Sequence, residues 1–195
     1  MEGGQRAGLF RLSSLTAEIE GVLGFWFKEL EPPQWFEKDL EMDAQITARF
    51  GALHGRAVEG ALASWRSTAD GRLAEVIVLD QLSRNIFRGT PGAFAADAAA
   101  LERAREAIAV GADMELEPQR RMFLYMPFMH SESREVHEEA VVLFEALGMA
   151  RTLEFEHLHK VIIDRFGRYP HRNEILGRVS TPEEIEFLKG PNSSF

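Results

Sequence analysis

The chain has 195 residues, of which 45% are hydrophobic and 27% charged, enough for one soluble globular domain with a sizeable core. A formal net charge of -9 argues against nucleic acid as a partner, because phosphate contacts dominate such binding. The absence of cysteine excludes disulfides, thiolate catalysis and Cys-based zinc sites, and fits a cytoplasmic setting.

Residues 1–14 read as a flexible extension, 15–188 as one all-α domain and 189–195 as a frayed tail. The extension lacks the apolar segment of a signal peptide. No apolar run approaches the roughly 20 residues that span a bilayer, so no membrane is expected. Ser14 or Thr16 is placed to cap a first helix to about Leu30, with a stripe of Leu15, Ile19, Val22, Leu23, Trp26 and Phe27. A second helical region runs from Asp39 to Trp65, with a break expected near Gly51 to Gly60. Thr68-Ala-Asp-Gly71 reads as a turn.

Arg72 to Phe87 reads as one buried helix. Its Val76-Ile-Val-Leu79 run has strand propensity, but Leu73, Ile77, Asp80, Arg84 and Phe87 share one helical face. Ala95 to Val110 is an Ala-rich helix. Pro118 opens the next, and Pro127 within it predicts a bent last turn. Ser133 caps a helix that Gly148 stops, and another runs from Arg151 to Gly167. Thr181-Pro-Glu-Glu184 is a capping-box start for a short last helix. In all, about eight helices and no sheet are expected.

Polar residues stand where apolar ones belong. Asp80, Arg84 and Arg88 recur four apart, and Gln81 and Asn85 do the same beside them. A buried charge needs a partner or a ligand. The plainer role for Asp80 and Arg84 is to pair and pin two helices together. His130-Ser-Glu132 follows an apolar helix, where the plain reading is a capped junction. His157 and His159 point about 200° apart on a helix and cannot chelate one metal; one belongs to the core. From Arg165 to Arg178 there are four arginines against one acid, Glu174. The common hydrolase, zincin and nucleotide-binding motifs are absent, and no metal or cofactor is expected. The best metal set by residue type, His130, Glu132 and His157, has cationic surroundings that would repel one.

Three blocks together carry a resemblance: Asp80-Gln-Leu-Ser-Arg-Asn-Ile-Phe-Arg-Gly89, Tyr125-Met-Pro-Phe-Met-His-Ser-Glu132, and Arg165-Phe-Gly-Arg-Tyr-Pro-His-Arg-Asn173 with the following Leu-Gly-Arg178. With Val22-Leu-Gly-Phe-Trp-Phe27, they resemble the bacterial family filed as domain of unknown function 924. The resemblance covers about Leu15 to Leu188. It implies an all-α, tetratricopeptide-like fold and no defined reaction. It also implies that Asp80, Gln81, Arg84, Asn85, Arg88, His130, Glu132, Arg165, Arg168, His171, Arg172 and Asn173 are the family's recurrent polar positions.

Three functions follow as expectations. The first is a cleft that takes a small anion, phosphate or carboxylate, through Arg84, Arg88, Arg165, Arg168 and His171, with Asp80, Gln81, Asn85, Arg172 and Asn173 around them. Asp80 and Glu132 would neutralise two of these arginines and leave positive charge to spare. The second is an adapter that holds a protein or peptide partner. The third is an enzyme with His130 or His171 as general acid or base, oriented by Glu132 or Asp80. The polar positions favour the first.

Overall fold

The computed structural model describes residues 15–194. The extension before residue 15, including the Ser14 cap, and Phe195 lie outside the described residues. Among these residues there is no strand; eight helices build the domain.

Helix α1 covers residues 15–24 and continues as a π turn, Phe25–Glu29. It buries Val22, Leu23, Phe25 and Trp26. The chain then turns through Pro32–Trp35, where the Trp35 indole donates to the Trp26 carbonyl at 2.7 Å. Helix α2, Leu40–Val58, is capped by the Asp39 carboxylate and buries Ile46, Phe50 and His54. It runs unbroken through Gly51 and Gly55, and the expected break falls at the far end of the Gly51 to Gly60 range. Each glycine costs about 1 kcal/mol relative to Ala, and burial of the opposite face offsets it. The break comes later, at Gly60, whose φ of 76° is open to glycine.

Thr68 to Gly71 is not a free turn. Thr68 caps helix α3, its hydroxyl accepting the Gly71 N–H at 3.0 Å. A Cβ on Gly71 would lie 1.9 Å from the Trp65 carbonyl oxygen, so the glycine serves close packing rather than chain reversal. Helix α3 comprises Ala69–Ile77, a π turn Val78–Leu82 and a last turn Ser83–Ile86. Val76 to Leu79 are helical and fully buried.

After a single turn at Gly92–Ala95 comes α4, Asp97–Ala109, whose buried Ala100, Ala104 and Ala107 let it pack closely on α3. Helix α5, Pro118–Met129, is buried from Met122 onward. Pro127 does not disrupt its end: the His130 N–H still reaches the Met126 carbonyl at 3.1 Å. Helices α6, Arg134–Leu147, and α7, Ala150–Phe166, follow; α5 packs on α6 and α6 on α7. The Ser133 hydroxyl caps α6, and Gly148 and Gly167 close the two helices as the sequence predicts. A short 3-10 turn, Pro170–Arg172, leads to α8, Pro182–Phe187, with its capping box in place.

The main core joins α1 to α6. A second cluster of Ile162, Ile163 and Tyr169, with Phe166 and Phe187, ties the C-terminal segment to α7. Ser193 is buried, and its hydroxyl donates to the Leu188 and Gly190 carbonyls. None of the helices is long and apolar enough to cross a membrane.

Candidate functional site

The π turn of α3 sets the site. A π turn fits one more residue than an α turn, and such turns recur at functional sites. Here it carries Asp80 and Gln81 inward, both buried. Asp80 is 0% exposed and ringed by donors. The His130 Nδ1 lies 2.7 Å from its Oδ1, Gln81 donates to Oδ2 at 2.6 Å, and Arg84 Nη1 is 3.3 Å from Oδ1. Burial alone would raise the carboxyl's pKa. His130, Arg84 and the hydrogen bonds outweigh it and hold the group down at about 2.

Arg84 donates to the Asp80 carbonyl at 2.6 Å and forks onto Asp97 at 3.1 and 3.2 Å. Arg172, from the C-terminal turn, reaches the same Asp97 at 3.1 Å and the His130 carbonyl at 3.0 Å. Its guanidinium carbon stands 4.5 Å from the Phe94 ring centre and 4.7 Å from that of Tyr169. Two guanidinium groups thus share one carboxylate over an aromatic floor. Burial lowers the pKa of Arg172, and Arg84 adds to the effect against Asp97. The Arg172 Nε and the His171 Nδ1 are buried with no hydrogen-bond partner among the described residues. Burial, then Arg172, pushes His171 down to about 4.

Tyr169 is the keystone beneath these groups. It is fully buried, its hydroxyl donates to the Met129 carbonyl at 2.6 Å, and its ring meets His137, His159 and His171. His159 is the core histidine of its pair, held down to about 3 by burial, with Nδ1 donating to the Phe155 carbonyl. His157 is exposed.

The remaining sequence-predicted residues go elsewhere. Asn85 and Arg88 both bind Asp43 of α2, so the expected Gln81–Asn85 pair parts, Gln81 toward Asp80 and Asn85 away. Arg165 pairs with exposed Glu183, and Arg168 forks onto Glu184. Glu132 accepts the Tyr169 N–H and a fork from Arg178, which also donates to Asn173. It therefore orients Arg178 and not His130; Asp80 is the carboxylate on His130. Among the described residues no group of three His, Asp or Glu could hold a metal ion.

Several buried or half-buried polar residues escaped the sequence. Asp97 opens α4 and Asp43 lies in the first turn of α2, where acids are favoured whatever else they bind. Ser83 donates to the Leu79 carbonyl at 2.5 Å and accepts from His54 Nε2, so this Ser–His contact has no nucleophilic hydroxyl to offer. His137 and Glu156 form a wholly buried pair at 2.7 Å, and the Glu156 Oε2 lacks a partner among the described residues.

No curated protein matches the chain. Among solved structures, it is similar to a protein of unknown function from Agrobacterium tumefaciens, at 39% identity and a TM-score of 0.85, over 90% of this chain and 99% of the other. The family model described as bacterial protein of unknown function (DUF924) matches residues 22–192, and with nearly the whole fold and all three polar blocks inside that span, the chain belongs to this family.

Proposed function

We propose that the protein binds a small carboxylate or phosphate at the cluster of Arg84, Arg172, His130 and His171. The observation that carries this reading is Arg172. It is a buried cation that shares its one carboxylate with a second arginine and keeps an unused Nε donor. Buried polar atoms without partners are rare and call for a water or a ligand. An anion here would take up that donor and relieve a field that also weighs on His130 and His171. Arginine forks suit planar carboxylates and phosphates. Arg88, Arg165 and Arg168 each have an acid of their own and stay outside this reading. With Asp80 and Asp97 set against Arg84 and Arg172, the cluster has no formal surplus of positive charge, and what it offers an anion is unused donors. A peptide-binding adapter, the alternative from fold, gives these atoms no use.

The test is a thermal-shift titration at low salt with inorganic phosphate and with short carboxylates. Saturation at about 100 times Kd adds about 2.7 kcal/mol of stability. Arg172→Lys keeps the charge, loses the fork and should abolish the shift, whereas Arg165→Ala should keep it. An equal shift in wild type and Arg172→Lys, or none in wild type, sinks the reading.

A further inference from the structure

We propose that His130 is a catalytic residue that takes a proton from the small anion held beside it, with Asp80 as its positioning residue. This rests on the anion-site reading above and adds a reaction to it.

The geometry begins with the carboxylate. Asp80 is fully buried and receives His130, Gln81 and Arg84. A carboxylate so supplied with donors accepts a hydrogen bond and does not take a proton. The His130 Nδ1 therefore carries the hydrogen, and Nε2 carries the lone pair. That is the tautomer a general base needs, fixed by a third group. Among the described residues Nε2 meets no hydrogen-bond partner, and the His130 side chain is 15% exposed.

The surroundings suit both protonation states. Burial and then Arg84 keep the resting ring neutral, with its pKa below the usual histidine value. Once protonated, the ring gains from Asp80 and from its place at the C-terminal end of α5, where carbonyl dipoles favour a cation. The charged and titratable groups around it are Asp80 and Arg84 from α3, Asp97 from α4, His159 from α7, and Arg172 from the C-terminal turn. The ring is held through Nδ1 by Asp80 at 2.7 Å, and the backbone carbonyl of His130 accepts from Arg172 at 3.0 Å.

The step is a proton transfer. Arg84 and Arg172 hold the anionic group. The Nε2 lone pair forms an N–H bond with a hydrogen from a C–H or O–H bond next to that group. The electrons of the broken bond remain on the substrate atom. The imidazolium then gives the proton back, to another substrate atom or to a leaving group. No oxidant, reductant or cofactor is consumed. The substrate class is a small hydroxy-, oxo- or unsaturated carboxylate, or a phosphate ester of similar size.

The experiment presents a panel of such compounds to the protein in deuterium oxide. NMR follows conversion and deuterium uptake, and thermal shift follows binding of the same compounds. His130→Asn is the decisive variant, because its amide can still donate to Asp80 while Nε2 is gone. The expected result is a compound that wild type converts or labels, with a loss of about 10²- to 10⁴-fold in His130→Asn and retained binding. Asp80→Asn should slow the reaction and move the acid limb of the rate–pH profile to lower pH, since the imidazolium loses its counter-charge; it also serves if His130→Asn does not fold. A merely structural role for Asp80 would leave that limb in place. Equal turnover in His130→Asn overturns the proposal. Binding without turnover or labelling across the panel overturns it while leaving the anion site standing. Failure of both binding and turnover overturns the two together.

Discussion

His130 and His137 stand on either side of the α5–α6 junction, and each meets a buried carboxylate through Nδ1 at 2.7 Å. The two pairs are nonetheless opposites. At His137 the second ring nitrogen faces the Ser131 carbonyl at 2.9 Å and the Tyr169 hydroxyl at 3.1 Å. A carbonyl only accepts, so Nε2 bears the hydrogen and Nδ1 is free to accept one from Glu156. Burial raises the Glu156 pKa and favours that protonated form. The result is a pair with both ring nitrogens of His137 engaged. At His130 the carboxylate is charged, braced by Arg84 and Gln81, and the second ring nitrogen meets no hydrogen-bond partner among the described residues. A histidine–carboxylate contact alone does not mark a proton carrier. What the other oxygen and the other nitrogen find decides it.

The largest effect that could break this contrast is on stability. Asp80→Ala takes a fully buried charged carboxylate away from His130, Gln81 and Arg84 and should cost about 3–5 kcal/mol in urea denaturation, as broken buried pairs do. Glu156→Ala removes a buried carboxyl whose pKa burial raises and should cost about 1–3 kcal/mol. Equal losses would mean that the two pairs carry the same charge. The pH dependence sharpens the point. Asp80 is lowered from 3.8 to about 2, so its contribution is full above 3.8 and fades as pH falls toward 2. Glu156 is raised above 4.5, so its contribution is full below 4.5 and fades as pH rises through its folded value. Asp80→Asn should therefore flatten the acid side of a Tm–pH curve. Glu156→Gln should flatten the side above 4.5 and raise Tm there. A Glu156→Gln curve parallel to wild type above 4.5 would make the His137 pair ionic.

A chemical probe reads the open nitrogen directly. Diethyl pyrocarbonate should acylate His130 at least about tenfold faster than His137, as located by peptide mass, since only the neutral ring nitrogen within reach reacts. The smallest effect serves as the baseline. Arg165→Ala breaks an exposed pair and should shift stability by no more than about 0.5 kcal/mol.

Much of the fold was legible because helix ends carry local chemistry. Ser133, Thr181, Gly148 and Gly167 fall where the sequence places them. Thr68 was misread because Thr, Asp and Gly serve a turn and a capped first helical turn alike; the Trp65 carbonyl that requires Gly71 is a tertiary neighbour. In the site, Asp80, Arg84, His130 and Arg172 stood out as polar residues on apolar ground. Their acids did not. Asp97 and Asp43 read as ordinary helix-start acids, and only folding makes one of them the shared anchor of two arginines. The four-residue spacing holds for Asp80 and Arg84, which pair at 3.3 Å, but misleads at Arg88, which turns to Asp43 of α2.

The π turn at Val78–Leu82 has a bearing on how this chain can change length. Ahead of it, α3 is in phase with its buried upstream face; past it, Arg84 is in phase with α4 and Arg88 with α2. Loss of one residue from the turn would wind everything downstream by about 100° about the helix axis. Arg84 would swing off Asp97, and Asn85 and Arg88 off Asp43, in a single event. A substitution spoils one of these contacts; a deletion spoils them all. The segment thus acts as a fixed-length splice, intolerant of any change in count.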